Sequence, residues 1–176
     1  SSQRLGSGSR KAAVALADGL QDARHDLWQG DILNVAPART EHAMRFRKKG
    51  VHNLSPGDLD FLMCKVLTTM GGEASFKFFL PRFLSGVVTF PDFGSWATNS
   101  HVLLSKLECI NLNSWKRREQ VALLAALEAF AVFEWSIEAG RIWGDPIGAL
   151  APDEGLQGLL HFVRTRREGV SEFSGQ

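Results

Sequence analysis

Residues 115–139, "WKRREQVALLAALEAFAVFEWSIEA", constrain the fold of this chain more than any other segment. Between Val121 and Phe133, apolar residues would cover almost every side of a helix, a pattern typical of helices buried in a protein interior. Gly140 follows, and glycine is common directly after the last helical residue. The segment therefore predicts a long central helix over residues 115–139, against which the other elements pack.

Helical patterns occupy most of the remaining chain. Apolar residues recur at spacings of three and four from Ala13 to Leu27, and "TEHAMRFRKKG" predicts a short helix with Thr40 as its N-cap and Gly50 as its stop. "SHVLLSKLECI" and "DEGLQGLLHFVRTRRE" predict two more helices, whereas the one β-branched run, "GVVTF", is short. The predicted class is all-α, with about six to seven helices in a HEAT-like or irregular bundle around the central helix.

The clearest helix signal is "SPGDLDFLMCKVLTTMGG". Ser55 can cap the helix, Pro56 suits its first position, and Asp58 completes a capping-box pattern. The pair Gly71 and Gly72 predicts where this helix ends.

Proline interrupts the next apolar segment, "FKFFLPRFLSGV". Pro81 lacks an amide donor and disfavours helical geometry at the residue before it. Two arrangements satisfy this constraint: two short helices with Pro81 at the first position of the second, or one helix with a kink. We expect both halves to pack, since both carry apolar residues.

Residues 50–135 contain a motif that resembles a family of small bacterial all-helical proteins. In that family a helix ending in "TT-x-G" precedes an "FLPR-x-L" segment. The matching residues here are Thr68, Thr69, Gly71, Phe79, Leu80, Pro81, Arg82 and Leu84. The resemblance implies a fold and no activity. Some members carry an upstream Cys-Pro-x-Cys stretch, where this chain has "APAR" without cysteine, and the HEAT-like arrangement is an analogy of architecture alone.

Length and composition fit one soluble domain. The chain has 176 residues and a net charge of +1, which argues against general binding of polyanions. We expect a tag or disordered tail at 1–10, one helical domain at 11–168 and a frayed tail at 169–176. No segment approaches the roughly 20 apolar residues of a membrane span. A cytoplasmic protein without a cofactor is expected, with Cys64 and Cys109 as reduced, buried thiols.

One carboxylate falls inside the apolar part of the central helix. Glu128 lies among apolar helical neighbours, and a buried carboxylate must be paired or protonated. A general acid or a metal ligand is one interpretation. The other is a structural ion pair, for which Arg82 is the candidate partner because it directly follows Pro81.

The sequence contains three basic clusters, two of which are candidate interaction sites. Lys116, Arg117 and Arg118 occupy the start of the central helix, where cations oppose the helix dipole, so they indicate an anion or acidic-partner site or a solvated face. A second cluster on one side of a helix contains Arg45, Lys48 and Lys49. The third, Arg164, Arg166 and Arg167, favours the dipole at a helix C-terminus and needs no function.

Other carboxylates and histidines form weaker patterns. Glu134 and Glu138 share a helix face, and Arg141 follows at a spacing of three from Glu138, which fits a solvated charge ladder better than an acid–base pair. His101 and Glu108 are seven apart, too few ligands for a metal site. No catalytic, cofactor or metal site is predicted.

These patterns favour a non-catalytic helical protein–protein interaction module. Phe93 and Trp96, if exposed together, would form a docking patch. The alternative is a small-ligand protein or enzyme with a pocket lined by Trp135, Glu128 and Glu134. The predicted partner is a protein; nucleic acid ranks third, since no recognition motif is present, and no membrane partner is expected.

Overall fold

The computed structural model describes residues 30–50, 53–89, 100–143 and 154–172, with Lys11 and Ala15, but not the side chains of 85–89, 135–143 and 171–172. Six α-helices lie in these ranges: α1 (Thr40–Lys49), α2 (Pro56–Lys65), α3 (Glu73–Thr89), α4 (Ser100–Glu108), α5 (Arg117–Trp143) and α6 (Glu154–Glu172). The described residues contain isolated β-bridges but no strand, so the all-α class is confirmed. The HEAT-like packing stays a prediction.

One hydrophobic core joins all six helices. Each helix contributes large apolar side chains that are almost completely removed from water, and burial of such side chains is the main favourable term in folding. Examples in chain order are Phe46, Leu59, Phe76, Leu103, Phe130 and Leu159.

The long helix α5 is less buried at its start than its sequence predicts. Leu127 and Phe130 are fully buried, but Val121 is 51 % exposed. The apolar side chains exceed what the contacts with α3 and α6 can cover, so one face of the first turns remains in water. α5 also runs through Gly140 to Trp143, and the predicted stop at Gly140 is wrong.

Helix α2 begins as predicted and ends earlier. Ser55 and Asp58 form a capping box, with Pro56 in the first turn. The helix ends at Lys65 rather than at the glycine pair, because Leu67 adopts a left-handed φ of 65° and the Lys65 carbonyl accepts turn hydrogen bonds from the backbone that follows.

Helix α1 also differs from its prediction at one end. Arg39 is the N-cap and Thr40 is already helical, since a short 3₁₀-helix over Pro37–Arg39 leads into α1. Gly50 ends the helix with φ 77°, as predicted.

Helix α3 contains Pro81 within one continuous helix, the second of the two predicted arrangements. Its start is capped from a distant part of the chain. The Asp31 carboxylate accepts hydrogen bonds of 2.7 and 2.8 Å from the amides of Gly72 and Ser75. Gly71 takes φ 63°, and a Cβ there would lie 2.6 Å from Ser75 Oγ, so this turn requires glycine.

Helices α4 and α6 approach closely through glycine. A Cβ at Gly155 would lie 3.0 Å from the backbone nitrogen of His101, and one at Gly158 would lie 2.7 Å from Leu104. α6 then continues to Glu172, beyond the predicted fraying point at Gly169. Residues 1–10 and 173–176 lie outside the described residues.

Both thiols are free, but neither is deeply buried. Cys64 is partly buried and Cys109 is exposed, so the prediction of burial is wrong for Cys109, which follows the last turn of α4 on its outer side. Burial and the nearby Asp60 carboxylate raise the pKa of Cys64. Within the described part of the chain, no helix is long and apolar enough to cross a membrane.

Candidate functional site

A groove of about 570 Å³ separates the start of α5 from the end of α6. Its apolar lining residues are Val170, which is half-buried, and Leu112, which is 4 % exposed, and its charged side chains are Arg117 and Arg166. The remaining lining residues are Asn113, Gln120, Thr165 and Gly169. We call this space the α5/α6 groove.

A second groove, of about 370 Å³, continues along α6 toward α4. Thr165 and Arg166 line both grooves, so the two meet at these residues. Glu108 and His161 add polar groups to the second groove. We call this space the α4/α6 groove.

Two arginines are positioned at the α5/α6 groove by contacts within the protein. The Arg117 guanidinium donates a 3.3 Å hydrogen bond to the Val170 carbonyl, which places it where α5 meets the end of α6. The Arg166 guanidinium lies 5.4 Å from the ring centroid of Phe162. No carboxylate is among the lining residues, so the lining has a positive charge.

A polar cluster under the start of α5 holds this wall of the groove in place. The buried Glu119 carboxylate accepts hydrogen bonds from Lys77, at 2.9 Å, and from the Lys116 amide, at 3.0 Å. Lys77 also lies 4.2 Å from the Trp115 ring centroid, and Trp115 donates its indole N–H to Glu73. The sequence does not show this cluster because Glu73 and Lys77 on α3 lie 42 residues before their partners Trp115 and Glu119.

The predicted cluster at residues 116–118 therefore lies at the groove, with Arg117 in its lining. Lys116 and Arg118 are exposed beside it. The other basic cluster has a different environment. Lys49 lies 2.6 Å and Arg45 3.7 Å from the buried Asp58 carboxylate, while Lys48 is exposed.

The Asp58 carboxylate explains why these cations gather on α1. Burial alone would raise the pKa of Asp58, but hydrogen bonds from Lys49 and Ser55 outweigh burial and lower it below its usual value. Arg45 and Lys49 thus stabilise the start of α2, which is a structural role.

The predicted ion pair between Arg82 and Glu128 is wrong. Glu128 is 46 % exposed in its side chain and pairs with Arg167 on α6, because this face of α5 is turned toward the end of α6 rather than toward α3. Arg82 has a buried Nε without a hydrogen-bond partner. Among the described residues no carboxylate lies within ion-pair distance of Arg82.

The alternative pocket depends on Trp135, whose side chain lies outside the described residues. Glu128, one of the carboxylates expected to line it, is partly exposed and forms an ion pair with Arg167. The side chains of Trp135, Glu138 and Arg141, and all of Phe93 and Trp96, lie outside the described residues.

The expected histidine and carboxylate pair on α4 faces α6. His101 packs against Gly155, and Glu108 lines the α4/α6 groove. In the described ranges no group of three or more His, Cys, Asp or Glu side chains could hold a metal ion.

Sequence reasoning missed a buried lysine. Lys106 is 5 % exposed, and its ammonium donates hydrogen bonds of 3.1 and 2.8 Å to the carbonyls of Cys64 and Val66 at the end of α2. Burial lowers the pKa of Lys106. A signal was available: Lys106 falls three residues after Leu103 and directly before Leu107, in the apolar stripe of α4.

Comparison with protein families, with curated proteins and with solved structures found no match for this chain.

Proposed function

We propose that this protein is a non-catalytic helical module that binds another protein through the α5/α6 groove. The observation that carries the proposal is the composition of the lining, in which the apolar residues Leu112 and Val170 occur together with two arginines. Docking surfaces combine an apolar centre with a polar rim enriched in arginine.

Exposed apolar surface extends this groove along α5. Val121 follows Arg117 by four residues and therefore shares its helix face, and it is among the most exposed large apolar side chains described. Isolated exposed apolar residues are ordinary, but one next to an apolar-lined groove adds to a contact surface.

The groove suits docking better than catalysis. Catalytic sites bring buried titratable groups together around a reacting atom. Of the buried charged residues in the described ranges, Asp58, Lys106 and Glu119 each bond to protein groups, and none of the three lines either groove.

Gly169 offers a direct test, because it lines the groove and a Cβ at this position would find no atom within 4 Å. A random-peptide display library would be selected against the wild-type protein, against Gly169→Trp, which places an indole in the groove, and against Lys48→Trp. Lys48 is exposed on α1, so the last variant controls for non-specific binding caused by an added indole.

We expect peptides retained by the wild type and by Lys48→Trp but lost from Gly169→Trp. Equal retention by all three proteins, or by none, would contradict the proposal.

A further inference from the structure

The lining of the α5/α6 groove is positively charged, as in a site that binds anions, although the whole chain is nearly neutral. Net charge is +1, yet the lining residues include two arginines and no carboxylate. A local excess of one sign of charge attracts partners of the opposite sign even where the net charge is small.

Arg166 is the most direct anchor for an anionic group. Its guanidinium is exposed, lies over the Phe162 ring and lines both grooves. Guanidinium groups present paired N–H donors that match both oxygens of a carboxylate. In the described ranges no carboxylate lies within ion-pair distance of Arg166.

The two grooves together set the length of an occupant, whose acidic residue must lie at Arg166 because Glu108 lines the α4/α6 groove. They follow α6 from Gly158 to Val170, twelve residue steps, or about 18 Å at the helical rise. An extended peptide advances about 3.3 Å per residue, so about five or six residues fill this length.

The Thr165 hydroxyl, midway along this path, already donates to the carbonyl of His161 at 2.9 Å. Its proton is therefore not available to an occupant, and the charged side chain shared by both grooves is Arg166. Such a path selects for negative charge at that position.

We propose that the occupant is an acidic, extended peptide segment of a partner protein. One of its carboxylates pairs with Arg166, and a following aliphatic side chain packs on the half-buried Val170. This inference rests on the proposed docking function and specifies its partner.

The chemistry of the groove favours a peptide over single-stranded nucleic acid. Nucleic-acid grooves combine basic residues with exposed aromatic rings on which bases stack. Phe162, the one phenyl or indole ring in either lining, is 7 % exposed and lies beneath Arg166, and the His161 ring beside it contacts Arg164 through Nδ1 at 3.3 Å.

The same library tests this inference when the acidic content of the retained peptides is scored. Selections on wild type, Arg166→Glu and Arg47→Glu compare the groove arginine with an exposed arginine on α1. We expect Asp and Glu to be enriched by the wild type. The Arg166→Glu change should lower the affinity for the selected peptides at least about tenfold, whereas Arg47→Glu should leave that affinity unchanged.

Each other outcome has a distinct meaning. One such outcome is a set of retained peptides that bind the wild type but not Gly169→Trp, and yet lack acidic residues or bind Arg166→Glu equally well. That result would contradict the acidic partner but still support the docking groove. Peptides that bind Gly169→Trp as well as they bind the wild type would contradict both the docking groove and the acidic partner. An eight-nucleotide oligo-uridine that displaces the selected peptides at lower concentration than an acidic competitor peptide replaces the partner class with nucleic acid.

Discussion

The Lys106 side-chain nitrogen lies 2.8 Å from the Val66 carbonyl oxygen and donates a hydrogen bond to it inside the core. A second bond to Cys64 makes Lys106 a cap for the end of α2, donated from α4. Lysine is rarely this buried unless it has partners, and here the partners are backbone carbonyls rather than a carboxylate.

Replacing Lys106 with methionine should therefore destabilise the fold despite the apolar surroundings. The change leaves the Cys64 and Val66 carbonyls buried without donors, at a cost of about 2 kcal/mol. Urea denaturation measures the free energy of unfolding. Lys48→Met, on the surface of α1, should change it by less than about 0.5 kcal/mol, and equal effects of the two changes would contradict the capping role.

The lowered pKa of Lys106 also gives a pH dependence. The unfolded chain binds this proton more tightly than the folded protein, so the stability from Lys106 rises with pH between its folded pKa and the ordinary value of 10.5. The advantage of wild type over Lys106→Met should grow from pH 7 toward pH 10. An advantage that shrinks over that range would show that the folded protein favours the ammonium form.

Asp58 gives the stability of the fold a pH dependence at the acidic end of the scale. Its pKa is lowered in the folded state, so the stability it supplies is complete above the ordinary carboxylate value of 3.8 and is lost as the pH falls through the folded pKa. Asp58→Asn should cost about 1 kcal/mol at pH 7. The difference from wild type should shrink in acid unfolding below pH 4, and a difference independent of pH would contradict this assignment.

The capping box at Asp58 was predictable because Ser55, Pro56 and Asp58 lie within four residues, so local spacing fixes their geometry. Lys106 and Asp31 act on helix ends about 40 residues away, and their roles depend on tertiary packing. The prediction for Glu128 was wrong because its apolar neighbours in the sequence indicate burial, whereas its actual exposure depends on where α6 packs against α5. Arg117 was found by its mismatch with the helix dipole, whereas Arg166 matched its helix end and attracted no functional prediction.

Two glycines of α6 should respond in opposite ways to alanine. Gly155→Ala places a methyl group 3.0 Å from the His101 backbone nitrogen, which cannot move aside, and should cost about 1–3 kcal/mol. Gly169→Ala meets nothing and should stabilise by up to about 1 kcal/mol. Thermal unfolding of the two variants measures the contrast, and an unchanged melting temperature for Gly155→Ala would contradict the close approach of α4 and α6.

Hydrogen exchange tests the docking groove most directly. Amide exchange would be followed across the wild-type protein with and without the tightest peptide from the display selection. The account predicts added protection at residues 112–120 and 165–170, which form the two walls, with α1 unchanged. Protection confined to other parts of the chain, or none at these walls while the peptide is bound, would contradict the α5/α6 groove as the binding site.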